Sequence, residues 1–257
     1  LETLVQQVQN QVYNLAVRML WHPNDAEDAT QEILIQMVTR LSTFRGESKL
    51  STWVYRIAAN HLLNTRKKKQ NEQVTFAEFG EDLDRGLSDV QLTKADAMEQ
   101  KLLVEEVKIG CTQAMLQCLD QTSRLVYILG EIFEMNSLEG SEILEIRAEA
   151  FRKRLSRART QIRAFMQKKC GIVNPQNACR CAKRIDYAVK TGRVAPGNLN
   201  FASHPKNEEQ KKILQQIHEI HEVGRVVALY RTHPDYQAPE SVVQIFKDLF
   251  QSGQLQA

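Results

Sequence analysis

Residues 44–69, FRGESKLSTWVYRIAANHLLNTRKKK, constrain this chain more than any other stretch. Leu50, Val54, Ile57, Ala58 and Leu62 recur at helical spacing, so the segment reads as a helix with one face turned to a core. A serine hydroxyl can cap free backbone N–H groups, which places the helix start near Ser48 or Ser51. Trp53, Arg56, Asn60, Asn64 and Lys67 form a second stripe, and Arg66-Lys67-Lys68-Lys69 adds four consecutive cations. An aromatic stacking surface, amides able to read base edges and a basic track are what single-stranded nucleic acid asks for. From spacing alone, a solvated helix end beside a core tryptophan accounts for the same residues about equally well.

The distribution of charge supports a polyanionic partner. The formal net charge of the 257 residues is only +3. Residues 70–99 nevertheless hold eight acids against two bases, a net of −6, and residues 147–169 hold nine bases against one acid, a net of +8. Such a split points to a local polyanion, not to uniform colloidal charge. The length suggests two or three domains, and 42% hydrophobic with 25% charged residues is ordinary for a soluble globular protein. No apolar run reaches membrane-span length and no signal peptide is visible, so no membrane association is expected. Five cysteines without a secretion signal suggest a reducing, cytoplasmic setting.

Taken in order, the chain reads as all-α. Residues 1–20 carry Leu4, Val8, Val12, Leu15 and Met19 on one helical face, and Trp21-His22-Pro23 ends that helix. Asn24 then reads as an N-cap with Glu27 in capping-box position. The following helix, to about Leu41, has Ala26, Ala29, Ile33, Met37 and Leu41 as its apolar stripe. Asp25, Asp28, Gln31 and Glu32 lie on another face, and the helix dipole alone favours acids there. Residues 70–95 are acidic, lack sustained periodicity and read as a mostly irregular linker. Helices resume near Ala95 with the stripe Val104, Val107, Cys111, Met115 and Leu119, and again over Ser123–Phe133. A short helix near Ser137–Leu144, a turn at Glu145-Ile146-Arg147 and a long basic helix from Ala148 to Gln167 make a helix-turn-helix pattern. Phe151, Leu155, Ala158 and Ile162 would pack inward, leaving Arg152, Lys153, Ser156, Arg157 and Arg159 outside to meet phosphates or guanine edges.

The last part, residues 170–257, differs in character. CGIVNPQNACRC gathers Cys170, Cys179 and Cys181 within twelve residues. Three thiolates plus a histidine could hold zinc, with His204, His218, His221 and His233 available. The spacing is not that of a standard finger, and structural cysteines or a thiol switch fit it as well. Lys211–Tyr230 reads as one amphipathic helix, and Ser241 as the cap of a final helix carrying Val242, Val243, Ile245, Phe246, Leu249 and Phe250.

With both modules in place, the chain resembles the extracytoplasmic-function (ECF) group of bacterial RNA polymerase sigma factors. DAEDATQEIL at residues 25–34 followed by FRGESKLSTWVYRIAAN at 44–60 looks like the family's region 2, and EILEIRAEAFRKRLSRAR at 142–159 is similar to its region 4. The resemblance implies region 2 over residues 1–69, a linker over 70–97, region 4 over 98–169 and a helical extension over 170–257. It implies a transcription initiation factor that binds core polymerase at the β′ clamp and β flap and directs it to promoters. Asp25, Asp28, Gln31 and Glu32 would dock on the clamp. Phe44, Arg45, Ser48, Lys49, Thr52, Trp53, Arg56, Asn60 and Arg66 would read the melted non-template strand at the −10 element. Arg152, Lys153, Ser156 and Arg157 would enter the duplex major groove at the −35 element. The acidic linker would run toward the polymerase active-site channel. An anti-sigma factor is a candidate partner. No cofactor is required, and zinc at the cysteine cluster is optional. A minimal member ends near Cys170, so the extension is a candidate regulatory element.

Two further classes compete. One is a free-standing helix-turn-helix regulator responsive to metal or thiol state, which leaves the Trp53 and Asp25 helices unexplained. The other is an enzyme, for which the sequence offers no Walker loop, dinucleotide turn or nucleophile elbow.

Overall fold

The computed structural model describes the backbone of residues 2–68, 74–88, 97–204, 206–217, 219–242, 244 and 248. Among these residues the chain is helical, as expected, with no strand and two isolated bridges, Cys170 with Cys179 and Ala195 with Asn198. Two compact units form. The first comprises Leu1–Glu72, Gln121–Leu155 and Tyr236–Ala257, and the second Gln73–Asp120 and Ser156–Asp235. The expected extension is thus divided between the units.

In the first unit, α1 (Glu2–Leu20), α2 (Pro23–Thr39) and α3 (Leu50–Lys68) pack together. Val8, Val12, Leu15 and Met19 of α1 are buried, as are Ala26, Ala29, Ile33 and Met37 of α2 and Val54, Ile57, Ala58 and Leu62 of α3. The expected Asn24 cap does not form. His22 holds the N-cap position without a side-chain bond and Pro23 opens α2. Proline suits the first helical position because it has no N–H to satisfy and its φ is already helical. Then α6 (Gln121–Tyr127) widens into a π-helical turn over Ile128–Ile132, within the span read as one continuous helix. Arg124, buried, donates to Met19 O at the end of α1 (2.8 Å), where a helix C-terminus favours a cation.

The helix-turn-helix follows as α7 (Ser137–Leu144) and α8 (Ala148–Lys169). Asn136 Oδ1 accepts from Leu138 N and Glu139 N while Glu139 returns to Asn136 N, a complete capping box. The turn lacks its common glycine, and Glu145 takes the left-handed conformation instead, at φ 53°. Ile146 N then closes on Ser141 O at 3.0 Å, satisfying a helix-end carbonyl. Phe151, fully buried, lies over Gly140.

The second unit contains α4 (Phe76–Arg85), α5 (Ala97–Gln117), the later part of α8, α9 (Ile185–Lys190), α10 (Glu208–Gln216) and α11 (Glu222–Arg231). The stretch read as irregular linker therefore holds a helix. Thr75 and Glu78 form a capping box, and Phe79 and Leu83 are buried. The Phe76 and Phe79 rings meet Phe165 at 5.2 and 5.7 Å. The helix read over Lys211–Tyr230 is two. Gly224 N and Arg225 N both turn back to His221 O (2.7 and 3.2 Å), starting α11 afresh, and Arg225 Nε satisfies the freed Ile220 carbonyl (2.9 Å). Of the residues named for the ends of the chain, His218, Val243, Ile245, Phe246, Leu249 and Phe250 lie outside the described residues.

Candidate nucleic-acid interface

The side of α3 turned away from the core carries the expected stripe. Asn60 and Asn64 are exposed, and Trp53 and Arg56 are half-buried. The helix begins at Leu50, between the two serines considered for its cap, and Trp53 N bonds Lys49 O at 3.1 Å. Phe44, at the head of the preceding loop, sets its ring 5.4 Å from that of Trp53, tilted by 51°. Arg45 and Lys49 are exposed and Ser48 half-buried on the same loop, which turns through Gly46 at φ 71°, a conformation that suits glycine. Thr52 departs from the expectation. It is buried at 6% exposure, because helical spacing puts it with the core residues and not on the Trp53 stripe. The Arg66 side chain lies outside the described residues.

Two cations on this face, Lys49 and Arg56, already have partners in the same unit. Helix α7 packs on α3. Lys49 Nζ lies 3.2 Å from Glu139 Oε1, and Arg56 reaches Glu142 (Nη2 to Oε1, 3.4 Å) and Glu145 (Nε to Oε1, 4.0 Å). The Lys49 ammonium first, and then the Asn136 N–H, hold the Glu139 carboxyl below its usual range. Tyr55, one residue before Arg56, faces Phe133 at 6.0 Å, and burial pushes its hydroxyl up to about 12. Reading residue types missed this pairing. Part of the signal was present: Glu139 and Glu142 stand three residues apart within the short helix, which places them on one side of it, while Glu145 reaches Arg56 from the turn.

The other two expected surfaces are accessible. On α2, Asp28 and Glu32 are exposed and Asp25 and Gln31 half-buried, opposite Ala26, Ala29, Thr30 and Ile33 in the core. Glu32 lies 3.6 Å from the His61 ring, whose pKa burial pushes down against the carboxylate's pull. On α8, Arg152, Lys153, Ser156 and Arg157 are all exposed and share one side through their four-residue spacing. Arg152 bonds Ser137 Oγ (3.3 Å) and Lys153 pairs with Glu149 (2.7 Å), both solvent-exposed contacts that cost little to exchange for phosphate.

A stretch of the tail also belongs to this unit. Asn14 Nδ2 donates to Tyr236 O (2.6 Å) and Asn14 Oδ1 accepts from Tyr236 N (3.0 Å), while Asn10 Oδ1 accepts from Ala238 N (2.9 Å). Tyr236 is buried under the Arg18 guanidinium, 4.8 Å from its ring. Ser241 bonds Glu27 of α2, and Val242 is fully buried. Among the described residues no helix is long and apolar enough to cross a membrane.

A family profile, Sigma-70 region 2, matches residues 4–72. The ECF RNA polymerase sigma factor SigW of Bacillus subtilis is 30% identical over 155 residues, 60% of this chain and 82% of that protein. The RNA polymerase sigma-H factor of Pseudomonas aeruginosa is 29% identical over 172 residues, 65% of this chain and 86% of its own length. The ECF RNA polymerase sigma-E factor of Haemophilus influenzae is 30% identical over 168 residues, 64% of this chain and 86% of its own. In each case more than a third of this chain lies outside the alignment.

Proposed function

Because the chain belongs to the ECF RNA polymerase sigma factors, and so binds core polymerase and promoter DNA as a transcription initiation factor, we propose that its two helical surfaces divide the promoter between them. The Trp53 face of α3 reads the melted −10 strand, the exposed cations of α8 read the −35 duplex, and the acidic face of α2 docks on the polymerase clamp. The observation that carries this reading is the order on α3: Val54, Ile57, Ala58 and Leu62 anchor it in the core, which leaves Trp53, Arg56 and Asn60 on the accessible side. The role needs no catalytic group and no cofactor, and its setting is the cytoplasm. An anti-sigma protein would compete for the same faces. The tail is a regulatory extension in this reading, since residues 236–242 strap α1 and α2. Strand reading also requires Arg56 to leave Glu142 and Glu145.

Trp53→Ala tests the assignment. Stacking on a base is worth ~1–3 kcal/mol, so open-complex formation with core polymerase should fall roughly tenfold or more while polymerase binding is kept. Normal promoter opening by a folded Trp53→Ala protein would remove the −10 role. The metal- or thiol-responsive repressor reading predicts no binding to core polymerase without DNA.

A further inference from the structure

The tail's cysteines Cys170, Cys179 and Cys181 are free thiols, and among the described residues no group of three or more His, Cys, Asp and Glu side chains could hold a metal ion. The tail's grip on the first unit rests on amides and rings instead. Asn10 and Asn14 stand one turn apart on α1, a rise of about 6 Å. Alternate residues of an extended segment lie about 6.6–6.8 Å apart, so two asparagines in this register can each hold one residue of a strap. Asn14 bonds both the N–H and the carbonyl of Tyr236. Asn10 bonds the Ala238 N–H and, through Nδ2, Gln237 Oε1 (2.7 Å). Tyr236 supplies the buried side chain between α1 and the strap, and Ser241 carries the strap on to Glu27 of α2.

The same asparagine ties the strap to Arg18. Asn14 Oδ1 accepts from Tyr236 N (3.0 Å) and also from Arg18 Nη1 (2.8 Å), which reaches Asn14 O as well (3.0 Å). Arg18 is only 4% exposed, and its guanidinium lies 4.8 Å from the centre of the Tyr236 ring and 5.5 Å from that of Phe133. Phe133 closes the π-helical turn three residues before the Asn136 cap of α7, and its ring meets Tyr55 of α3 at 6.0 Å. Tyr236, Arg18, Phe133 and Tyr55 thus form one contiguous row from the strap to the base of α7. A cation holds a ring most strongly where water is excluded. Tyr236 keeps water from Arg18. Once Tyr236 leaves, the guanidinium is hydrated and its hold on Phe133 weakens. The seat of α7 on α3 then depends more on the accessible pairs of Lys49 and Arg56, which are weak.

We propose that residues 236–242 are an autoinhibitory latch: docked on Asn10, Asn14 and Arg18 they keep α7 seated over Lys49 and Arg56, and their release and the unseating of α7 are one event that uncovers those cations. The latch gives the tail a defined target within the first unit. Its consequence for promoter binding rests on the reading of α3 given above, since the uncovered cations are those of the strand-reading face.

The test uses the full chain and approaches the latch from both ends. Glu142→Gln combined with Glu145→Gln removes the two ion pairs of Arg56 while keeping side-chain shape, and both pairs lie on α3, away from the strap's own bonds. Coupling between two elements is reciprocal, so hydrogen exchange at the Tyr236 and Ala238 amides should rise about two- to fivefold, with the α2 amides unchanged. Unchanged exchange at Tyr236 and Ala238 would overturn the latch. So would a rise shared equally by α2, which marks general loosening. From the other end, Asn10→Ala frees Ala238 and Gln237 without removing a bond of Arg18. If DNA needs the unlatched form, apparent affinity follows the fraction unlatched, and affinity for a short single-stranded DNA of mixed sequence should rise about two- to tenfold. Faster strap exchange in the glutamine variant with no gain in DNA affinity for Asn10→Ala upholds the latch and overturns the strand reading of α3 instead. The glutamine variant decides the latch even where Asn10→Ala fails to fold.

Discussion

Asp82→Asn removes the charge at the centre of a polar cluster that joins the linker helix α4 to the tail. Both carboxylate oxygens are in use. Oδ2 accepts from Arg184 Nη2 (3.0 Å) and Arg193 Nη1 (2.6 Å), and Oδ1 from Arg193 Nη2 (2.9 Å) and Tyr187 Oη (2.8 Å). The side chain of Asp82 is 13% exposed and that of Arg184 8%. Burial acts to raise the Asp82 pKa, but hydrogen bonds from Arg193 and Tyr187 and the two guanidinium charges outweigh it and hold the group down to about 2. Measured from an ordinary aspartate, such a displacement amounts to about 2 kcal/mol, after a discount for the solvent around Arg193. The folded pKa lies below the unfolded one. The contribution is therefore complete above about pH 4 and is lost as pH falls toward 2. Asparagine keeps the shape and one acceptor oxygen but loses the charge, leaving the buried Arg184 guanidinium with neutral partners, among them the backbone carbonyls of Asp82 (2.8 Å) and Leu83 (3.1 Å). Breaking a buried pair this way costs about 3 kcal/mol. Hydrogen exchange of the α4 and α9 amides, measured from pH 7 to pH 2, should show the variant opening more readily at neutral pH, with the gap closing as the wild type is protonated. A gap that stays constant across the range, or no gap at pH 7, refutes the reasoning.

Three other outcomes are expected. Gly140→Ala puts a methyl 2.3 Å from the buried Phe151 ring, so thermal unfolding should show a loss of about 1–3 kcal/mol, and an unchanged melting temperature would mean the turn repacks freely. Asn14→Ala cuts two bonds to Tyr236, and exchange at the Tyr236 amide should rise by a factor equivalent to ~1–3 kcal/mol while α2 and α3 stay protected. Glu142→Ala frees Arg56 from a partly exposed pair worth ~0.2–1 kcal/mol, so affinity for a single-stranded −10 oligonucleotide should rise up to about fivefold, and a fall in affinity would contradict the competition between α7 and DNA.

What was legible in the sequence was whatever local periodicity decides. The stripes Val54-Ile57-Ala58-Leu62 and Phe151-Leu155-Ala158-Ile162 are buried as read, and the helix-turn-helix stands where its pattern put it. Helix α4 was missed because its apolar residues are few. Phe76, Phe79 and Leu83 have helical spacing within an acidic stretch, and the two rings meet Phe165, far along the chain, while α4 also packs on α5. The Asn24 cap was misplaced because two local rules competed, and proline at the first helical position took precedence over a side-chain oxygen one residue later.

The partners of the candidate interface were less legible than the interface itself, for a reason that bears on function. A cation stripe is written in one helix, but what neutralises it is written in another, 86 residues away in the case of Arg56 and Glu142. The glutamates that occupy Lys49 and Arg56 belong to the helix-turn-helix, Glu139 and Glu142 on its first helix and Glu145 at its turn. The Lys49–Glu139 pair is solvent-exposed and the Arg56 pairs are partly exposed, so each is weak. If α3 reads the melted strand as proposed, weak pairs of this kind would discriminate by exchange, shielding the stripe from scattered polyanions and giving way where aromatic stacking and several phosphates act together. Because both the internal pairs and the phosphate contacts are ionic, added salt weakens each of them. Base stacking by Trp53, as proposed, would not share that dependence, so the loss caused by Trp53→Ala should persist at high salt while the gain from Glu142→Ala fades. If the Trp53→Ala defect instead vanishes with salt, the tryptophan is not a stacking platform.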